Sequence, residues 1–282
     1  MTLALAPVMR EVLAGWQEDL DPAWRAVAGG ELGFADIDPA LSIEPWEPIF
    51  PARKGRVFPG APAGAHMLRA FDGIAPEDVR VVVLGQDPYP CPAFATGRAF
   101  EAGNVAEWRE LEKMFSVSVR TFMQQIVAAR TGDAGWARST ADWLRLRRAI
   151  EAGAVALEPA AAIADRWVGQ GVLLLNSALT LSRFAVAGDP HQLRGHLPLW
   201  RPLVRRVLAH LAGSGGPLAI LAFGGQAVAA LAEAGIAEGT AGPVASVLRP
   251  HPAAGDALLA MENPFLLADR HLERLGSRPV AW

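Results

Sequence analysis

Four short runs of apolar residues, rich in valine and leucine, are spread widely along the chain. They are residues 81–84, 172–175, 218–223 and 244–248. Each run lacks a polar face, which is typical of strands that are buried on both faces of a parallel sheet. The segments between them, such as residues 199–211, repeat apolar residues with the period of a helix. The pattern therefore predicts an α/β fold with a central four-stranded, mostly parallel sheet flanked by helices, an α/β/α sandwich.

Two segments lie outside this alternation of strands and helices. Residues 1–45 have a helix-like and then a loop-like pattern, which predicts an N-terminal helical extension. Residues 131–165 are rich in alanine and carry many charges, which predicts a helical insertion at the surface. Because we find no internal repeat, we expect one domain over residues 1–282.

Polar or glycine residues follow each predicted strand directly. In chain order they are Gln86, Asp87 and Tyr89, then Asn176, then Gly224, Gly225 and Gln226, and finally His251. Each has an ordinary explanation as a turn or cap residue when it is taken alone. In an open parallel sheet, however, the functional crevice lies beyond the carboxyl ends of the strands. Four such strand ends therefore predict a site that combines a carboxylate, a carboxamide and an imidazole.

Composition narrows the class of protein. The chain is 51% hydrophobic and 20% charged, so it can bury a large core and is not disordered. No apolar run is long enough to span a membrane, and the N-terminus lacks the basic region of a signal peptide, so we expect a cytoplasmic protein without a membrane partner. The single cysteine, Cys91, excludes an intramolecular disulfide and any four-cysteine zinc or iron–sulfur site. We expect no metal and no cofactor.

Net charge bears on the kind of partner. The formal net charge of −3 argues mildly against a nucleic-acid ligand, because phosphate binding needs local positive charge. A basic face can nevertheless coexist with an acidic remainder, so this class stays open.

The residues after the first strand, GQDPY at positions 85–89, resemble the signature of the family 1 uracil-DNA glycosylases. The similarity continues through GRAF at 97–100, LLLN at 173–176, FGGQ at 223–226 and PHP at 250–252, in the order of the family. It extends from about residue 46 to the end of the chain, apart from the alanine-rich stretch at 131–165. The resemblance implies a metal-independent, monofunctional enzyme that flips uracil out of DNA and hydrolyses its glycosidic bond, which initiates base excision repair.

The same resemblance implies roles for the residues at the strand ends. Asp87 would stabilise the sugar cation and orient the attacking water, and a neutral His251 would donate a hydrogen bond to uracil O2. Backbone amides around Gln86 and Asp87 would help to bind that oxygen. The Asn176 amide would read N3–H and O4 of uracil and reject cytosine.

Two aromatic residues complete the base pocket that the resemblance implies. Tyr89 would stand against C5 and exclude thymine by its methyl group, and Phe100 would stack on the base. Each could instead be an ordinary core aromatic.

For the DNA backbone, the resemblance implies phosphate contacts from Ser118, Gly225 and Gln226. The family also inserts a leucine into the duplex from the loop after the late histidine. In this chain Gly255 falls on that leucine, so the nearest candidates are Leu258 and Leu259. Their spacing equally suits a short helix packed on the core.

The sequence departs from the family pattern at two further places. Pro90 and Cys91 follow the tyrosine where the family has histidine and glycine, and the prolines expected before Ser118 are absent from residues 114–117. If neither Leu258 nor Leu259 replaces the family's wedge leucine, we expect a preference for single-stranded over duplex uracil-containing DNA, and weak binding of the phage inhibitor protein of the family. We expect a monomer.

Two alternatives remain open from the sequence. One is a protein that binds uracil or abasic DNA with weak turnover. The other is a Rossmann-like nucleotide enzyme, which is disfavoured because no GxGxxG follows the first strand.

Overall fold

The computed structural model describes residues 2–113 and 117–282. The strands are β1 (Leu3–Ala4), β2 (Ser42–Ile43), β3 (Val81–Gly85), β4 (Val172–Asn176), β5 (Leu218–Phe223), β6 (Gly239–Ala241) and β7 (Val244–Arg249). The α-helices are α1 (Leu5–Val12), α2 (Pro22–Ala28), α3 (Val117–Thr131), α4 (Trp143–Glu151), α5 (Ile163–Val168), α6 (Leu197–Gly213), α7 (Gly225–Glu233), α8 (Asp256–Leu259) and α9 (Pro264–Arg274). A π-helical turn at Gln192–His196 precedes α6, and a 3₁₀ turn at Pro252–Ala254 follows β7.

The central sheet has the order β4-β3-β5-β7-β6. The four predicted strands are present and pair in parallel, but the predicted strand count is wrong, because β6 adds a fifth strand antiparallel to β7. The sequence pattern missed β6 because its three residues, Gly-Thr-Ala, are all exposed and carry no apolar signal. Parallel pairing brings the ends of β3, β4, β5 and β7 to the same edge of the sheet.

Side chains of the strands alternate between two cores, as expected for a sheet that is covered on both faces. In β3, Val82 and Leu84 join a core that includes α6, whereas Val81 and Val83 join a core that includes α3 and α9. This places the sheet between two helical layers and confirms the predicted α/β class with a single domain.

The N-terminal segment is part of the first core. Strand β1 pairs with β2, and Leu5 and Met9 of α1 are fully buried there. The alanine-rich segment is only partly helical, since α4 ends at Glu151. Trp143 and Leu146 of α4 are buried in the second core, so this segment contributes to that core and is not a simple surface addition. No helix among the described residues is long and apolar enough to cross a membrane.

Candidate active site

A cleft of about 600 Å³ opens at the carboxyl ends of β3 and β4 and at the segment after β7. Of the residues predicted from the sequence, it is lined by Gln86, Asp87, Tyr89, Phe100, Ser118, Asn176 and His251. Four others lie outside this lining, namely Gly225, Gln226, Leu258 and Leu259. The parallel sheet thus brings the predicted carboxylate, carboxamide and imidazole together.

The Asp87 carboxyl lies in the turn that ends β3. The side-chain amides of Gln86, at 3.1 Å, and Gln192 both donate hydrogen bonds to its Oδ2 atom. Burial raises the pKa of Asp87 to about 6, although the two amides oppose the shift by stabilising the charged form. At neutral pH the carboxylate is therefore mostly ionised, yet it is poorly solvated and available for electrostatic work.

Gln192 is a site residue that the sequence reasoning missed. It is 1% exposed and sits in the π-helical turn, far from β3 along the chain. No local motif marks it, because a glutamine in a polar-looking stretch is usually a surface residue. A π-helical turn is a recurring sign of a functional position, but it is visible only in the structure.

The turn that carries Gln192 is held by a chain of buried hydrogen bonds. The Trp200 indole donates to Thr180 Oγ1 at 2.7 Å, and Thr180 Oγ1 is bonded to His196 Nδ1 at 2.8 Å. The Ser182 hydroxyl then links His196 Nε2 to His191 Nδ1, each at 2.9 Å. Burial lowers the pKa of His196 to about 3 and also lowers that of His191, so both rings are neutral. A fully bonded network of this kind fixes the backbone on both sides of Gln192.

His251 follows β7 and caps the 3₁₀ turn. The backbone N–H of Ala253 donates to its Nδ1 atom at 3.1 Å, which leaves the proton of a neutral ring on Nε2. Burial lowers the pKa of His251, so the neutral form is favoured at physiological pH. Gly224, with φ of 89°, lies against this ring: a Cβ there would come within 3.2 Å of the His251 Cβ. The glycine at the end of β5 thus makes room for the imidazole.

Asn176 ends β4 directly beside Gly85, which ends β3. The Asn176 side chain is only 2% exposed, and a Cβ on Gly85 would lie 2.5 Å from its Oδ1 atom. The same Cβ would approach the Phe100 ring at 3.5 Å. Gly85 therefore leaves the space in which a carboxamide and an aromatic ring meet at the base of the cleft.

Phe100 has a φ of 59°, in the left-handed region that residues other than glycine rarely adopt. Its ring stacks on Phe122 with a centroid distance of 4.5 Å and an interplanar angle of 12°. Such strain costs roughly 1–3 kcal/mol and persists only where the surroundings impose it. The packing on Phe122 holds the ring as a fixed wall of the cleft.

Curated relatives match the chain over its whole length. The uracil-DNA glycosylase of Parafrankia sp. is 30% identical over 280 residues, which cover 98% of each chain. This chain belongs to the uracil-DNA glycosylase family. Uracil-DNA glycosylase 1 of Streptomyces coelicolor is 28% identical over 281 residues, 99% of each chain. A scan against models of protein families finds no match, which fits a divergent uracil-DNA glycosylase.

Solved structures share the fold. The UNG of Nitratifractor salsuginis aligns with a TM-score of 0.61 at 23% identity and covers 95% of this chain and 97% of its own. A mimivirus UNG in complex with UGI aligns with a TM-score of 0.61 at 15% identity and covers 99% of this chain and 94% of its own.

Tyr89, the last residue of the uracil-DNA glycosylase signature, lies beside Ser118. Burial raises the pKa of the Tyr89 phenol well above its usual range, and the Ser118 side chain beside it opposes the shift. The phenol is therefore neutral. Ser118 lies in the first turn of α3 and is 7% exposed at the cleft. The uracil-DNA glycosylases have prolines before this serine. In this chain residues 114–116, where those prolines are missing, lie outside the described part of the chain.

Both residues that depart from the uracil-DNA glycosylase signature lie at the cleft or next to it. Pro90 lines the cleft, and the Cys91 backbone N–H donates to the Tyr89 carbonyl at 2.8 Å. The turn after Asp87 is thus closed without the histidine that the family has there.

The remaining predicted DNA contacts do not line the cleft of this uracil-DNA glycosylase. Gly225 is exposed at the N-terminus of α7, with Gln226 beside it. Leu258 is fully buried in the second core, and Leu259 is 7% exposed and packs on Ala128. This burial favours core packing over insertion into DNA for both leucines. The described residues contain no cluster of three or more histidine, cysteine or acidic side chains suited to a metal ion.

Replacing Gln192 by methionine should shift the pH dependence of catalysis. The variant loses one amide that stabilises the ionised Asp87, so the pKa of Asp87 rises further above about 6. With Asp87 acting in its ionised form, as the sequence predicts, the acidic limb of kcat should move to higher pH by about one unit, and most activity should return above it. The titratable or charged groups that share the cleft are Tyr89, Arg98 and His251.

Gln124→Met provides the matched control for this measurement. Gln124 is a fully buried glutamine that bonds to backbone carbonyls of Trp136 and Ser139 and not to Asp87. The Gln124→Met variant should be less stable to unfolding, but the acidic limb of its kcat profile should not move. An unchanged pH profile in Gln192→Met would contradict the proposed influence of Gln192 on Asp87.

Proposed function

We propose that this protein removes uracil from DNA by hydrolysing the N-glycosidic bond, leaving free uracil and an abasic site. The observation that carries the proposal is a cleft that joins a half-buried carboxylate, a neutral imidazole donor and a buried carboxamide in a chain of the uracil-DNA glycosylase family. The enzyme class is a monofunctional DNA glycosylase that acts at the start of base excision repair. Flipping of the nucleotide into the cleft precedes the chemistry.

Asp87 acts on the sugar. As the C1′–N1 bond breaks, its electron pair goes to the base and positive charge develops on the sugar. The ionised Asp87 stabilises that charge and orients a water molecule, which adds to C1′ and gives its proton to the Asp87 carboxylate. That proton is then released to solvent, and the uracil anion takes up a proton to leave as free uracil. The amides of Gln86 and Gln192 hold the carboxylate through one oxygen, Oδ2, so its orientation is set before substrate arrives.

His251 acts on the leaving base. Because Nδ1 accepts from the Ala253 amide, the neutral ring carries its proton on Nε2 and donates it as a hydrogen bond to uracil O2. Negative charge develops on that oxygen as the bond breaks, so the hydrogen bond from His251 stabilises the transition state more than the ground state.

Base selection depends on the walls of the cleft. The Asn176 carboxamide accepts from uracil N3–H and donates to O4, a pattern that cytosine cannot satisfy. The neutral Tyr89 phenol ring occupies the space next to C5 and excludes the thymine methyl group. Phe100, backed by Phe122, offers a flat apolar face on which the base stacks.

Contacts to the DNA backbone form the outer part of the proposal. We assign phosphate contacts to Ser118 at the cleft and to Gly225 and Gln226 at the N-terminus of α7, where backbone N–H groups and the helix dipole favour anions. Substrates are uracil-containing single or double strands. Three properties stay predictions: that the protein is a monomer, that it is cytoplasmic, and that it binds the phage inhibitor weakly.

Release of free uracil in the presence of EDTA tests the proposal. An oligonucleotide with one labelled deoxyuridine is incubated with the purified protein, and free base and abasic DNA are quantified. The proposal predicts stoichiometric free uracil and abasic sites over many turnovers. Retention of the oligonucleotide without release would favour the alternative, a uracil- or abasic-DNA-binding protein with weak turnover.

A further inference from the structure

In the loop after His251, residues 252–259 expose no large apolar side chain, and Met261 beyond them is 41% exposed but does not line the cleft. Gly255 adopts φ of 57°, and a Cβ there would lie 3.0 Å from Thr140 Cγ2. The Asp256 carboxylate accepts from the Thr140 backbone N–H at 2.7 Å, so residues of the alanine-rich segment hold this loop in place. Leu258 is fully buried. A side chain that enters the base stack must therefore come from another part of the described cleft.

The segment after β4 supplies exposed apolar side chains at the same cleft. Phe184 is 43% exposed and Val186 is 95% exposed, and both line the cleft with Ala185 between them. Large apolar side chains that share an exposed rim are unfavourable in water and mark a contact surface. Residues 184–188 read Phe-Ala-Val-Ala-Gly and carry no charge that would repel phosphate groups.

Both ends of this loop are fixed. At its start, the Arg183 guanidinium forms an ion pair with Glu47, with an N–O distance of 2.7 Å. The preceding Ser182 is bonded to His191 Nδ1, and the His191 backbone N–H donates to the Asp189 carboxylate at 2.8 Å. The apolar tip therefore projects from two ends that are held in place, which lowers the entropy cost of ordering the loop on binding.

We propose that Phe184 and Val186 enter duplex DNA and fill the gap left by the flipped nucleotide. The inference rests on the proposed function, since a base must reach Asp87 for the gap to exist. Extruding a base costs stacking energy, and apolar wedges between base steps are a recurring way to stabilise such distorted DNA. Because the loop lines the same cleft as Asp87, DNA that delivers a base to the carboxylate passes beside it.

The proposal changes the expected substrate preference. Gly255 alone predicts a strong preference for single strands, because nothing would stabilise the flipped state in a duplex. If Phe184 and Val186 fill the gap in the base stack, activity on duplex DNA is retained and depends on these two side chains.

The test compares kcat/KM on matched single- and double-stranded oligonucleotides for the double variant Phe184→Ala, Val186→Ser. Duplex activity should fall about tenfold or more, while single-strand activity stays within about twofold, because an unpaired strand is already unstacked. Val57→Ser is the control, since Val57 is 89% exposed but lies outside the cleft. It should change neither activity. Val186→Leu, with a longer apolar side chain, should keep or raise duplex activity.

Two results would overturn the inference. Equal losses of activity on both substrates would show that the loop contacts the base or the DNA backbone and does not enter the base stack. Unchanged duplex activity would show that the loop has no role in flipping the nucleotide. These outcomes differ from a failure of the proposed function, in which the unaltered protein would release no uracil from either substrate.

Discussion

Asp87→Asn should lower the single-turnover rate of uracil release by about 10³-fold, which corresponds to about 4 kcal/mol of lost transition-state stabilisation. The asparagine is nearly isosteric but carries no negative charge to offset the cation at C1′. Binding of uracil-containing DNA should change little, because the proposed contacts of the ground-state base are with Asn176, Tyr89 and Phe100. The measurement is rapid-quench release of labelled uracil with enzyme in excess, together with the Kd for the same oligonucleotide.

Asp269→Asn is the matched control. Burial also raises the pKa of this carboxyl, which accepts hydrogen bonds from the Val280 backbone and the Trp282 indole outside the cleft. The control variant should release uracil at the parental rate. A near-normal rate in Asp87→Asn would exclude Asp87 as the catalytic carboxylate.

Asn176→Asp should alter the base that is released. Uracil release should fall on the order of 10³-fold, because the ionised carboxylate accepts from N3–H but has no proton to donate to O4. Burial at this position raises the pKa of a carboxyl, so a fraction of the variant carries a protonated side chain. A protonated carboxyl donates to cytosine N3 and accepts from the N4 amine, so slow release of cytosine should appear.

Asn176→Leu is the control that distinguishes altered base recognition from a simple loss of hydrogen bonds to the base. The leucine has a similar size but neither donor nor acceptor, so uracil release should fall and no cytosine should be released. The assay is chromatographic detection of free bases from oligonucleotides that differ only at the target position. Parental base selectivity in Asn176→Asp would exclude Asn176 as the residue that reads the base.

The sequence predicted the parts of the fold and the cleft that leave a local pattern. The four parallel strands appear as apolar runs, and the residues that follow them reach one edge because parallel strands end together. The short strand β6 leaves no such pattern, since its residues are small and exposed. Family resemblance marked Asp87, Asn176 and His251 because they stand in motifs.

Other features depend on tertiary contacts and leave no trace in local sequence. The bond from Gln192 to Asp87 joins segments 105 residues apart. The sequence left Leu258 open between the core and a DNA contact, and only packing in the second core distinguishes the two. The exposed tip at Phe184 looks like any apolar residue between turns until the structure places it on the rim of the cleft.

A crystal structure of Asp87→Asn with an uncleaved single strand that contains one deoxyuridine tests the central claim most directly. The account predicts that the uracil lies flat on Phe100, with N3 and O4 within hydrogen-bond distance of the Asn176 carboxamide and O2 facing His251 Nε2. The substituted side chain at position 87 would lie on the sugar side of the glycosidic bond. A uracil bound elsewhere, or seated in the cleft without contact to Asn176 and His251, would contradict the account.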